Sequence, residues 1–188
     1  MKVCIASLMC WVIAGTVLPA QTWQLALQQE STTIPFTRFR ELHPGLEVAY
    51  VQPVNKRGNW ERSWVVQAGY FYHRSLSSAV YVKGGAQFRY QPISVLALDL
   101  QPTVGYMHSF FPGNVYELEE GNFVGKTQYG RPTALIDVGV GLSFFPESKW
   151  SPFIRTRLGV ETPFANGIPV FPHTFYQLGL SYRITAKS

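Results

Sequence analysis

Cysteine is almost absent from this chain of 188 residues, because its two cysteines, Cys4 and Cys10, both lie within the first ten residues. The rest of the chain therefore cannot be a small domain held together by disulfide bonds. Charged residues are also scarce, at 14% of the chain, where about a quarter is usual. The net charge is +5, but the Lys and Arg residues form no basic run, so we expect no nucleic-acid partner.

Long hydrophobic runs are missing after residue 20, where no run reaches the ~18 residues that suggest a membrane-spanning helix. The first twenty residues differ, because Lys2 is followed by an uncharged apolar run from Val3 to Leu18 and then by the small residue Ala20. This order predicts a secretory signal peptide over residues 1–20 and a mature domain over residues 21–188.

The mature region does contain a repeated alternation of apolar and polar side chains, together with many aromatic residues. A period of two is typical of a β-strand with one apolar face, and we find no convincing helical period. The chain is therefore predicted to be all-β. Its eight predicted strands lie near residues 23–28, 46–50, 63–72, 80–90, 96–106, 134–144, 154–161 and 176–184.

The connections between these strands fall into two classes. Those after the second, fourth and sixth strands are short and rich in turn-forming residues. Those after the first, fifth and seventh span roughly residues 32–44, 109–130 and 164–173, while the connection at residues 73–77 is short as well. Short turns at one rim and long loops at the other are typical of an antiparallel up-and-down transmembrane β-barrel.

Two kinds of barrel fit this alternation, and they differ in which face is outside. A periplasmic lipocalin-like carrier would surround a ligand with its apolar face, whereas a transmembrane barrel turns that face to lipid. Tyr and Trp near strand ends, and a polar face rich in glycine and in charges of both signs, favour the membrane barrel. We expect an interior charge network of Glu47, Lys83, Arg89, Asp99, Asp137, Arg155, Arg157, Glu161 and Arg183.

The last strand resembles the C-terminal assembly signal of bacterial outer-membrane barrels, through Gln177, Gly179, Tyr182 and Ile184. It departs from that signal by continuing through residues 185–188. The resemblance implies a location in the outer membrane of a Gram-negative bacterium, contact with its lipid, and the barrel-assembly machinery as a partner in biogenesis. The mature chain looks like the small OmpA- and OmpW-like eight-stranded barrels, and its export signal is similar to those of the Bacteroidota.

Gly58-Asn59-Trp60 matches the Gly-x-Trp motif of lipocalins, which are also exported eight-stranded barrels. In lipocalins the motif opens the first strand, whereas here it follows the second predicted strand. We therefore interpret these residues as a turn followed by a tryptophan at the membrane interface.

A complete catalytic set is missing. His73-Arg74-Ser75 has the His-x-Ser spacing of the outer-membrane deacylases that act on lipid A, in which a glutamate orients the histidine. Gln87 occupies the position expected for that glutamate. We predict no catalysis, and a lipid A-modifying enzyme remains an alternative.

Four histidines, His43, His73, His108 and His173, lie singly near the predicted outer strand ends. They could meet in space and bind a metal, but their spacing is not that of a metal-ligand motif. No glycine-rich phosphate loop is present either. We therefore predict neither a metal nor a cofactor.

The predicted outer loops are unusually apolar, so they either cover the barrel mouth or offer a contact surface to a protein partner or hydrophobic ligand. We interpret the acidic Glu117, Glu119 and Glu120 as solvated. The sequence thus predicts a structural or interaction protein acting through extracellular loops, with a narrow pore or hydrophobic-ligand conduit as an alternative. The apolar loop residues are Phe36, Phe39, Phe110, Phe111, Tyr116, Phe123, Tyr129, Phe164, Val170 and Phe171.

Overall fold

The computed structural model describes most of the predicted mature domain. The predicted signal peptide, residues 1–20, lies outside the described residues, as do Phe36, Phe39, Phe111, Tyr129 and Glu120. Within the described ranges, no helix is long and apolar enough to cross a membrane. The described residues are 21–32, 43–73, 77–110, 115–119, 122–126, 130–164 and 168–184, with the backbone alone considered for 115–119 and 122–126.

The described residues form ten β-strands, which include all eight predicted ones. The two unpredicted strands, β6 and β7, lie within the long loop after the fifth predicted strand. Each has five residues, and they pair only with one another as a hairpin. Five residues are too few for an alternation of apolar and polar side chains to be distinguished from the composition of a loop. The strands are β1 (Gln21–Ser31), β2 (Pro44–Arg57), β3 (Trp60–Tyr72), β4 (Ser78–Ile93), β5 (Leu96–Phe110), β6 (Val115–Glu119), β7 (Asn122–Lys126), β8 (Arg131–Phe144), β9 (Trp150–Thr162) and β10 (Phe171–Ile184).

The eight long strands close into an antiparallel barrel in the order β1-β10-β9-β8-β5-β4-β3-β2. Closure joins the first and last strands in continuous register, from Gln21 opposite Ile184 to Ser31 opposite Thr174. Each of these eight strands therefore has two neighbours, and the barrel has no open edge. The predicted eight-stranded up-and-down topology is confirmed.

The apolar side chains point outward, as predicted for a transmembrane barrel. On β5, Leu98 and Leu100 are 45% and 44% exposed, whereas Asp99 between them is 2% exposed. The same contrast recurs on β9, where Ile154 and Leu158 are exposed and Arg157 is completely buried. An apolar exterior around a polar interior is the reverse of a lipocalin, so the lipocalin-like carrier is excluded.

Three Trp–Tyr pairs mark the rim that carries the short turns and both barrel termini, which we call the short-turn rim. Gly58 adopts a left-handed φ of 57° in the turn before Trp60, and this confirms the interpretation of Gly58-Asn59-Trp60 as a turn. Aromatic pairs at one rim are typical of an interfacial girdle. The ring centroids of Trp23–Tyr50, Trp60–Tyr90 and Trp150–Tyr182 lie 5.3, 4.7 and 4.5 Å apart.

Glycines on the inner face make room for large side chains. A methyl group at Gly69 would overlap the ring of Tyr81 and lie 2.9 Å from the Leu46 carbonyl oxygen. At Gly159 it would lie 2.8 Å from Cβ of Asp137. The narrow interior is thus already full.

Gly69→Ala is expected to lower the free energy of unfolding by about 1–3 kcal/mol, because overpacking a full interior forces its neighbours to move. Gly84→Ala is the matched control, since its methyl group would meet only the Val65 carbonyl oxygen, at 3.7 Å. Guanidinium unfolding in detergent, followed by tryptophan fluorescence, measures both variants. Equal losses of stability would contradict this packing argument.

Candidate functional site

The middle of the barrel holds four paired charges, Glu47, Lys83, Asp137 and Arg157, which we call the central charge cluster. Nζ of Lys83 donates to Oδ2 of Asp137 at 2.7 Å and lies 3.3 Å from Oε2 of Glu47. Nη1 of Arg157 donates to Oδ1 of Asp137 at 2.8 Å, and its Nη2 lies 3.6 Å from Oε1 of Glu47. Two cations and two carboxylates thus balance one another.

Neutral side chains complete the hydrogen bonding of the central charge cluster. Tyr81 donates to Oε2 of Glu47 at 2.8 Å, and Thr103 donates to Oδ1 of Asp137 at 2.8 Å. The Arg157 guanidinium also donates to Gln101, and to Gln177 at 3.2 Å. Buried charges are tolerated when they are paired and hydrogen-bonded in this way.

A second charge pair lies nearer the short-turn rim. Nε and Nη2 of Arg89 donate to the two carboxylate oxygens of Asp99 at 2.7 and 3.2 Å, which is a bidentate arrangement. Ser143 also donates to Asp99. Gln87 donates to Asp99 at 3.1 Å and accepts from Gln101 at 2.5 Å, so the two charge groups are connected.

The other three charges of the predicted network lie elsewhere. Arg155 is buried, donates to Gln24 at 3.3 Å and lies over the ring of Phe153. Arg183 is half-buried at the short-turn rim, where it donates to the carbonyl oxygen of Pro146 at 2.7 Å. Glu161 lies at the opposite rim, with Arg131.

An apolar layer separates the central charge cluster from the long-loop rim, which is the rim where β1, β3, β5 and β9 end. Along β10, Phe175 sits between His173 at the rim and Gln177 beside the cluster. Phe71 and Phe175 touch edge to face, with centroids 5.4 Å apart. The sequence did not predict this layer, because its residues interrupt the polar face of their strands. We call it the apolar plug: Phe71, Ala79, Tyr81, Met107, Leu135 and Phe175.

Above the apolar plug, three of the four histidines come together with two carboxylates. The imidazole rings of His43 and His73 stack with centroids 3.6 Å apart, beside the fully buried Glu30. His173 bridges two carboxylates, because its Nδ1 lies 2.9 Å from Oε1 of Glu30 and its Nε2 lies 3.2 Å from Oε2 of Glu161. We call this group the mouth cluster: Glu30, His43, His73, Arg131, Glu161 and His173.

His108 does not join the mouth cluster. It lies on the outer face of β5, where its Nδ1 is 2.7 Å from the hydroxyl of Tyr106. His73 points inward instead, and Gln87 lies deep in the lumen, so the structure does not assemble the lipid-facing deacylase arrangement around His73. Ser75 lies outside the described residues. Three of the four histidines thus do meet in space, although sequence spacing could not show which strand ends become neighbours.

The four residues of the assembly-signal resemblance occupy different positions on β10. Gln177 contacts Arg157 inside the barrel, and Gly179 faces the ring of Phe153. Tyr182 pairs with Trp150 in the girdle, and Ile184 lies opposite Gln21 at the end of the strand. These contacts show how the residues serve the folded barrel, and their recognition during assembly stays a prediction.

Several apolar residues lie at the long-loop rim. The rings of Phe164 and Phe171 stack 4.2 Å apart, and the guanidinium of Arg131 lies over Phe164. Phe110 and Val170 are 44% and 51% exposed. The described part of this rim thus combines a packed aromatic pair with exposed apolar side chains.

Comparison with known proteins identifies the architecture. No protein-family model matches the chain, and neither does any curated protein. Among solved structures it is similar to Neisserial surface protein A, with 9% identity, a TM-score of 0.53, and coverage of 88% of this chain and 96% of that one. It is also similar to the outer membrane enzyme PagL, with 9% identity, a TM-score of 0.50, and coverage of 87% and 99%.

The chain has the fold of a small outer-membrane β-barrel. This likeness concerns architecture, because the identities are too low to carry a site from one protein to another. What the barrel does must therefore be argued from its own lumen, mouth and loops.

Proposed function

We propose that this outer-membrane barrel has no conducting pore and acts through its extracellular loops, as a structural or interaction protein without catalysis. The observation that carries this proposal is the filled lumen. The central charge cluster, the Arg89–Asp99 pair and the apolar plug occupy successive levels of the interior. An eight-stranded barrel is only wide enough for its own side chains to fill.

The buried charges support a closed lumen over a narrow ion pathway. Lys83 and Arg157 each face both Glu47 and Asp137, so their charges are neutralised locally. A permeating ion would have to separate these buried pairs, which is costly. The apolar plug adds a level that offers an ion few ligands.

The asymmetry of the two rims supports a role for the loops. The β2–β3 and β4–β5 turns each contain two residues between strands, whereas β5 and β8 are separated by a segment that carries the β6–β7 hairpin. Ile168 and Val170, each 51% exposed, add apolar surface at the same rim. Such a surface suits a protein partner or a hydrophobic ligand outside the cell.

The proposal includes two steps of biogenesis. Residues 1–20 would act as a signal peptide, and Gln177, Gly179, Tyr182 and Ile184 would be read by the barrel-assembly machinery. The mature barrel would then be surrounded by outer-membrane lipid, against its apolar exterior.

Planar-bilayer recordings are expected to show no discrete conductance steps for the folded protein. A variant in which residues 112–129 are replaced by a short Gly-Ser linker should be equally silent, because the seal lies in the lumen. A mobility difference between boiled and unboiled samples on SDS gels verifies folding of both proteins. Steps from the unaltered barrel would favour the narrow pore, and steps from the shortened variant alone would show that the loops form the seal.

A further inference from the structure

We propose that Glu30, His43 and His73 form a binding site for one divalent transition-metal ion at the mouth of the barrel. Each side chain offers one ligand atom, and these three atoms lie within 4.8 Å of one another. All three residues are buried, at 0%, 9% and 8% exposure. Glu30 lies near the end of β1, His43 immediately precedes β2 and His73 immediately follows β3, so the pairing of these consecutive strands brings them to one rim.

Oε2 of Glu30 is the central atom of this site. It lies 3.5 Å from Nδ1 of His43 and 4.0 Å from Nε2 of His73. Two ligand atoms on one tetrahedral zinc ion, with bonds of about 2.1 Å, are about 3.4 Å apart. The cluster therefore needs to contract by roughly half an ångström at His73 to satisfy that geometry.

The hydrogen bonding of the Glu30 carboxylate is incomplete. Within the described residues, no hydrogen bond reaches its buried Oε2. A buried carboxylate oxygen without a donor is unfavourable, and a coordinated cation would remove that penalty. The other oxygen, Oε1, is held by Nδ1 of His173 at 2.9 Å.

A surrounding layer supports the proposed ligands. Nε2 of His173 lies 3.2 Å from Glu161, and Glu161 also accepts from Arg131 at 3.0 Å. Nδ1 of His43 also lies 3.2 Å from the Glu30 carbonyl oxygen, and this contact would be exchanged for the bond to the ion.

The ligand set selects the class of ion. Two imidazoles and one carboxylate suit Zn²⁺, Ni²⁺ or Cu²⁺, whereas Ca²⁺ and Mg²⁺ prefer sites built from oxygen. Three protein ligands also leave a coordination position for water or for an external group. The His43 and His73 side chains are 11% and 10% exposed and lie above the apolar plug, so an ion would reach the site from the mouth rather than through the lumen.

Coordination would rearrange the two histidines. The stacked rings are nearly parallel, at 21°, and a lone pair lies in the plane of its ring. Both rings therefore have to tilt toward the ion, and the stack opens on binding. This makes the imidazole NMR signals of His43 and His73 a direct readout of the proposed site.

The test uses the mature barrel without an affinity tag, refolded in detergent, stripped with chelator and titrated with ZnCl₂ against a chromogenic competitor. We expect one zinc ion per chain. His43→Ala and His73→Ala should each weaken zinc binding at least about tenfold. Replacing a residue that only supports a metal ligand commonly costs that much affinity, so replacing a ligand itself should cost no less. His108→Ala is the matched control and should retain the affinity, because His108 lies on the outer face near the same rim.

Two further measurements check that each variant is folded and that the site selects zinc over magnesium and calcium. Gel mobility before and after boiling shows whether each variant is folded, and His73→Gln replaces His73→Ala if the alanine variant fails to fold. MgCl₂ and CaCl₂ should not compete with zinc. Absence of stoichiometric zinc binding, or equal loss of affinity in His108→Ala and His43→Ala, would overturn the proposed site.

Discussion

Replacing Arg157 with methionine is expected to lower the free energy of unfolding by about 3–5 kcal/mol, the usual result of removing one partner from a buried ion pair. Arg157 is completely buried and contacts Asp137 at 2.8 Å and Glu47 at 3.6 Å. Without it, Lys83 is the one cation of the central charge cluster left to face its two carboxylates. Methionine fills part of the volume, so the loss reports mainly the uncompensated charge and the orphaned acceptors.

The measurement is equilibrium unfolding of the barrel in detergent, by guanidinium titration and by the temperature at which the folded band disappears on gels. Arg183→Met is the matched control, because Arg183 is half-buried and donates to a backbone carbonyl at the short-turn rim. We expect a loss below about 1 kcal/mol there, as for most partly exposed polar contacts.

A double variant separates charge from packing. Arg157→Met combined with Asp137→Asn leaves Lys83 opposite Glu47, which lie 3.3 Å apart, so the cluster becomes neutral again. It should therefore recover part of the stability that Arg157→Met loses. A double variant that is less stable than Arg157→Met alone would contradict the role given to charge balance.

Val138→Arg is expected to lower the free energy of unfolding in lipid vesicles by about 2–4 kcal/mol, the cost of a cation near the middle of the bilayer. Val138 is 44% exposed and is the central outward position of β8, between Ile136 and Val140. An arginine there cannot reach the lipid headgroups as easily as one near a rim.

Ile93→Arg is the matched control, because Ile93 is similarly apolar and 55% exposed but ends β4 at the short-turn rim. Its expected loss is only about 0–1 kcal/mol, as found near membrane interfaces. Unfolding from vesicles by guanidinium compares the two variants. Equal losses would show that depth in the bilayer does not govern the exterior of this barrel.

The exterior and the strand count could be predicted from sequence because they depend on a local rule. A period of two assigns each side chain to one face, and turn-forming residues divide the strands. Leu98 and Asp99 illustrate this, since adjacent residues fall on opposite faces as expected. The β6–β7 hairpin escaped prediction because five residues per strand carry too little of that period.

The pairing inside the barrel could be predicted only in part. The alternation placed Lys83 and Asp137 on the inner face, but nothing local could show that residues 54 positions apart would meet at 2.7 Å. Arg183 was expected in the same network and lies instead against Pro146 at the rim. Partner choice depends on register and on the height of a residue along its strand.

Sequence alone thus determined an all-β chain with one apolar face per strand, because that information repeats every two residues. Tertiary structure alone decided the contacts that follow from closure of β1 onto β10 and from the stagger of neighbouring strands. It placed Phe71 against Phe175 in the plug and gathered Glu30, His43 and His73 at the mouth. Such contacts join residues that are distant in the chain. The register between strands decides which residues meet, and no local sequence pattern contains that information.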